Sequence, residues 1–142
     1  METRNTPTIT VQSLINAPTK KVWEFWTEPQ HITQWTFASD DWHAPYAEND
    51  LRIDGKFKTT MAARDGSVSF DFEGIYTDVQ TYRLIEYVLG DGRKVSISFE
   101  SEDNVTKVTE TFDPEMENSI ELQQSGWQAI LDNFKKYTEA AV

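Results

Sequence analysis

A chain of 142 residues with 24 acidic and 13 basic side chains carries a net charge of −11, which repels nucleic-acid backbones and anionic lipid headgroups. It has no cysteine, so disulfide frameworks, thiolate metal sites and thiol nucleophiles are excluded. The length suits one domain, residues 1–142, whose apolar surface is concentrated in five Trp, five Tyr and eight Phe.

No run approaches the roughly 18 consecutive apolar residues of a membrane span, and the opening METRNTPTIT lacks the apolar centre of a secretory signal. With the missing cysteines, this predicts a cytoplasmic protein. The expected assembly is a monomer or weak dimer.

The elements read as follows. Ile9, Val11 and Ile15 alternate with Thr8, Thr10 and Gln12, which predicts a half-buried strand over 8–15. Asn16-Ala17-Pro18 breaks it, and Pro18 suits the first residue of a helix carrying Val22, Trp23, Phe25 and Trp26 at helical spacing. Thr27-Glu28-Pro29 repeats the signal and opens a second short helix with Ile32 and Trp35. Residues 36–49, containing Asp40, Asp41, Trp42, His43, Pro45 and Tyr46, have no period and read as a long loop, the kind of segment that forms binding loops and lids.

Beyond it, Asp54-Gly55, Asp65-Gly66, Asp91-Gly92 and Asp103-Asn104 are turn signals between β-rich segments. They predict an antiparallel meander with strands over 51–53, 56–62, 68–79, 83–89, 94–100 and 105–112, seven with the first. Phe70 and Phe72 share a face opposite Asp71 and Glu73, and Val95, Ile97 and Phe99 another opposite Ser96 and Ser98. Gly74, alone inside the longest strand, predicts a bulge or bend that curves the sheet. Asp113-Pro114 ends the last strand. Asn118 with Glu121 resembles a capping box opening a helix to about residue 140, with Ile120, Trp127, Ile130, Leu131, Phe134 and Tyr137 on one stripe. Helices segregated from a meander imply an α+β fold and not a doubly wound parallel one.

Several motifs in this order carry a family resemblance. They are Ala17-Pro18 before Val22-Trp23, Trp26-Thr27-Glu28-Pro29 with Trp35, and Gly74-Ile75-Tyr76 leading to Leu84-Ile85-Glu86-Tyr87. The run Thr106-Lys107-Val108-Thr109-Glu110-Thr111-Phe112 and Gln124-Ser125-Gly126-Trp127 complete the set. The chain resembles, over nearly its whole length, the activator-of-Hsp90-ATPase-like (AHSA1-type) branch of the START/Bet v 1-like (SRPBCC) superfamily. The resemblance implies a helix-grip fold: a curved antiparallel sheet of six or seven strands wrapped around a long C-terminal helix, with two short helices after the first strand. It also implies a hydrophobic cavity between sheet and helix that takes lipids, polyketides or other apolar molecules. Many relatives have a second Trp and a Gly-Pro after the position of Trp35; here the text is Trp35-Thr36-Phe37-Ala38, so ligand identity does not carry over.

The ligand-binding candidates are Trp26, Trp35, Phe37, Trp42, Met61, Phe70, Phe72, Tyr87, Phe99, Phe112, Gln123, Trp127 and Ile130, although a solid core has the same composition as a pocket wall. Gln123 suits either orienting a ligand or simple exposure, and Gly126 either close helix approach or room for ligand. Glu110 shares strand parity with Val108 and Phe112, which makes it a candidate general acid or base, and Glu86 is a similar, less clear one. The safer reading of Glu110 is a structural ion pair with a lysine or arginine near the cavity rim. His31 and His43 lack metal-ligand spacing, and no nucleotide or serine-hydrolase fingerprint is present. No metal or cofactor is assigned. Binding of a small hydrophobic molecule is better supported than catalysis; the alternatives are a cyclase or dehydratase using an inward carboxylate, and a chaperone-regulating interaction module.

Overall fold

In the computed structural model, which describes residues 8–141, the elements are β1 (Ile9–Ile15), α1 (Thr19–Thr27), α2 (Pro29–Trp35), β2 (Trp42–Asn49), β3 (Lys56–Ala63), β4 (Ser69–Gln80), β5 (Leu84–Leu89), β6 (Lys94–Glu102), β7 (Val105–Phe112) and α3 (Ile120–Ala140). Every neighbouring pair of strands is antiparallel, in the order β1-β7-β6-β5-β4-β3-β2. The sheet curls into a half-barrel that grips α3, the α+β helix-grip arrangement. The reading of the first ten residues falls largely on residues outside those described. Among the described residues no helix is long and apolar enough to cross a membrane.

Alternation dictates which face of each strand is dry. On β7, Thr106, Val108, Glu110 and Phe112 are buried while their neighbours are half-exposed, and on β6 the same holds for Val95, Ile97 and Phe99. These rows meet Ile9, Val11 and Ile15 of β1, Leu131 and Phe134 of α3, and Val22 and Trp23 of α1 in one apolar cluster. Trp127 of α3 stacks on Phe112 of β7 and meets Phe72 of β4 edge-on, so the helix lies across the concave face.

The strand count of seven holds, but with different members. Residues 36–49 are not one long loop: 42–49 form edge strand β2, paired with β3. Pro45 hid it. It lacks an N–H, which an edge strand tolerates, and the register slips between His43 and Tyr46 to pass it. Trp42 and Tyr46 therefore belong to the sheet and not to a lid. The expected strand over 51–53 is instead a tight turn joining β2 to β3, closed by Asp50 N–H to Lys56 C=O and Gly55 N–H to Arg52 C=O.

Two of the three helix starts shift by one residue. Pro18 is extended (ψ 153°) and sits just outside α1, where its carbonyl accepts the first helical bond from Val22; Pro29 does open α2. The cap of α3 is Ser119, whose side chain accepts from Leu122 N–H at 3.1 Å, while Asn118 is held by Glu115. Ile120, expected on the apolar stripe, is 42% exposed at the first residue of α3.

Gly74 does not carry the bulge, which lies further on between Tyr76 and Asp78. Gly74 is paired in register with Phe57 and Leu89, and its lack of a side chain serves close approach. A Cβ there would stand 2.7 Å from the Val88 carbonyl oxygen and 2.9 Å from the Phe57 ring. Because the nearest atom is backbone and cannot rotate away, Gly74→Ala should lower stability by about 2–3 kcal/mol. Urea unfolding checks this; a variant as stable as wild type would refute the packing argument.

Candidate functional site

Between the concave face and α3 lies a pocket of about 340 Å³. Its aromatic end is built by the short helices: Trp26 of α1 and Trp35 of α2 are tilted together at 4.8 Å, and Phe134 of α3 meets both edge-on at 4.8 Å. Trp35 is fixed by its indole N–H, which donates to the Phe25 carbonyl at 3.0 Å. The strand wall holds Phe57 and Tyr87, edge to face at 4.6 Å, and Phe72 beside them.

The pocket brings together nine of the sequence candidates: Trp26, Trp35, Met61, Phe70, Phe72, Tyr87, Gln123, Trp127 and Ile130. Four others lie outside its lining. Phe99 packs under Trp23 and Trp26, and Phe112 lies behind Trp127, stacked at 3.8 Å. Both rings point inward but are covered by other rings, a layering that strand parity alone does not reveal. Trp42 sits edge-on against Phe70 from β2, and Phe37 follows α2 with its N–H donating to the Trp35 carbonyl.

Phe57, Thr59, Tyr76 and Ile85 also line the pocket, each sharing strand parity with one of the candidates Met61, Phe72 and Tyr87. Asn49, Arg93 and Glu115 line it from strand ends and loops, where no periodicity exists to find them.

Glu110 is the exceptional polar group. It is 6% exposed, it lines the pocket, and its strand neighbours Val11 and Ile97 are apolar. The expected ion pair with a basic residue is not found among the described residues. Burial alone pushes its carboxyl up to about 8, with no hydrogen bond or opposite charge to offset it. The group is thus largely neutral at neutral pH and presents an O–H. Burial also pushes the Tyr87 phenol well above its ordinary range, with Glu110 adding to the effect.

Of the other polar lining side chains, Tyr76, Asn49, Gln123 and Arg93 are held by neighbours. Tyr76 donates to Asn49 Oδ1 at 2.5 Å, and Asn49 donates in turn to the Thr27 carbonyl at 2.6 Å, tying β4 to α1. Gln123 is neither exposed nor at a fraying end. Its amide donates to the carbonyls of Glu115 and Asn118 and accepts from Glu115 N–H, so its amide hydrogens secure the loop before α3 instead of meeting a ligand. Arg93 is bound through Nε to Asp91 at 2.8 Å.

The two histidines stand apart from the pocket. His31 stacks on Phe25 at 3.9 Å and bonds the Tyr137 hydroxyl through Nδ1, and His43 lies on β2. Among the described residues no three His, Asp or Glu side chains converge as a metal site. Glu86 pairs across to Asp78 and Ser96, with parity opposite to the buried Ile85 and Tyr87.

Comparison with known proteins gives a consistent picture. The model of the family described as activator of Hsp90 ATPase homolog 1-like protein matches residues 16–139. The AHSA1-like protein from Aeromonas hydrophila has a solution structure with a TM-score of 0.89 and 44% identity, covering 95% of this chain and 94% of that one. A protein from Cytophaga hutchinsonii is 56% identical with a TM-score of 0.81, covering 94% of this chain and 92% of that one. One from Chromobacterium violaceum, at 18% identity and a TM-score of 0.83 over 94% of this chain and 98% of its own, shares the fold. No curated protein matches the chain.

Proposed function

The chain belongs to the activator of Hsp90 ATPase homolog 1-like family, and on that premise we propose that it binds a small hydrophobic or amphipathic molecule in the pocket between sheet and α3. The observation that carries the reading is the volume of about 340 Å³, walled by Trp, Phe, Ile and Met and holding one unpaired buried carboxyl. This lies within the range of roughly 300–1,000 Å³ usual for small-molecule sites, and burial of ligand surface would supply the driving force. Lipid, polyketide and aromatic compounds are the classes that suit such walls. The absence of cysteine supports a cytoplasmic setting. The chain acts in this reading as one domain, a monomer or weak dimer.

A catalytic reading would rest on Glu110, but no second acid–base group forms a hydrogen bond with it among the described residues, so a proton relay lacks its other half. A protein-docking reading needs aromatic surface facing outward, whereas most of the rings here face the interior.

Gly126 provides the test. A Cβ at this position meets nothing within 4 Å, and the residue shares a helix face with Gln123 and Ile130 of the lining. Gly126→Leu should therefore fill space without a clash while improving helix propensity by about 1 kcal/mol. The expected result is a variant at least as stable as wild type when free, but without the gain of about 2.7 kcal/mol that a ligand at a hundred times its Kd confers. Thermal shifts across a lipid and polyphenol library measure this. No shift in wild type, or equal shifts in both proteins, would count against the proposal.

A further inference from the structure

Most of the pocket is apolar, and among the described residues Glu110 is the one lining carboxyl without a protein partner, beside the Tyr87 and Thr59 hydroxyls, which likewise have none. A side chain more than nine-tenths buried, placed on β7 between β1 and β6 and facing open volume, leaves its hydrogen-bonding capacity to whatever enters. The charged and titratable groups sharing the pocket are Tyr76 and Tyr87 from β4 and β5, Arg93 from the turn before β6, and Glu115 from the loop before α3. On the neighbouring strands, Val11 and Ile97 pair with Glu110, and α3 contributes Gln123, Trp127 and Ile130, none of them charged.

We propose that Glu110 is the polar anchor of the pocket, donating a hydrogen bond from its carboxyl to a carbonyl or similar acceptor oxygen on an otherwise apolar ligand. This deepens the binding reading and rests on it. The competing occupant, a cationic amine seated on a carboxylate, is disfavoured twice. It would require two charges to be stripped of water, and the Arg93 guanidinium in the same lining repels it. The acid form is also the one that burial favours, with ionisation only near 8.

Three matched probes separate the possibilities by calorimetric titration: 2-acetonaphthone, its oxygen-free analogue 2-ethylnaphthalene, and 2-naphthylmethylamine. Wild type at about pH 6 should bind the ketone about tenfold more tightly than the hydrocarbon, the upper range of a neutral hydrogen bond. Near pH 9.5, above the ionisation of Glu110, that preference should vanish. Glu110→Gln, which retains an N–H donor, should keep the preference at both pH values. Glu110→Leu should lose it at both while still binding the hydrocarbon. Equal affinities for ketone and hydrocarbon in wild type would overturn the anchor but leave the pocket reading standing. Tightest binding of the amine would overturn the anchor in favour of a carboxylate site. Binding of none of the three would overturn the pocket reading itself.

Discussion

Glu110→Gln should stabilise the protein by on the order of 4 kcal/mol near pH 9 and leave it within about 1 kcal/mol of wild type near pH 4. The carboxyl rises from an ordinary 4.5 to about 8 in the folded state because burial penalises the charge. Between those values the folded protein holds a proton that the unfolded chain has released. Stability therefore falls as pH rises through that window and stops falling above about 8. Below it both states are protonated, and an amide of nearly the same shape changes little. Exposed carboxylates elsewhere shift the other way: Asp65, Asp91 and Glu115 are held low by backbone and side-chain hydrogen bonds. The difference between variant and wild type isolates Glu110 from them. Urea unfolding at several pH values gives the curves; parallel curves from pH 4 to 9 would show that the carboxyl is solvated.

Phe134→Ala should cost about 3–5 kcal/mol, the usual loss for a fully buried phenylalanine. The ring has 0% exposure and holds Trp26 and Trp35 edge-on, so it links α3 to both short helices. Its removal leaves a void beside the aromatic end of the pocket, which those two rings cannot fill without abandoning their packing. Trp35 is further restrained by its bond to the Phe25 carbonyl. Urea unfolding would register the loss, and near-ultraviolet circular dichroism the changed Trp environment. A loss below about 1 kcal/mol would mean that the short helices are held by other contacts.

Much of the fold was legible because burial on one face enforces a period. Val95, Ile97 and Phe99 on β6, and Val108, Glu110 and Phe112 on β7, alternate as a one-sided sheet requires. Edge strand β2 escaped notice because Pro45 and polar neighbours mask its pairing, while three apolar-flanked residues at 51–53 imitated a strand inside a turn. The pocket was legible only in part. Parity places Phe99 and Phe112 indoors, but depth, which puts Trp26 over one and Trp127 over the other, is a property of three elements together. Arg93 and Asn49 come from turns and strand ends, where side-chain direction depends on tertiary contacts. Gln123 shows the converse: its polarity suggested a ligand contact, yet the loop before α3 uses the amide.

The location of the bound molecule is the point to measure. With methyl-labelled protein and 2-acetonaphthone, intermolecular nuclear Overhauser effects should connect the ligand to Met61, Ile85 and Ile130, which line the pocket, and not to Leu14, which is 54% exposed on β1. Cross-peaks confined to Leu14, or none to the three interior methyl groups under saturating ligand, would contradict occupation of the space beneath α3.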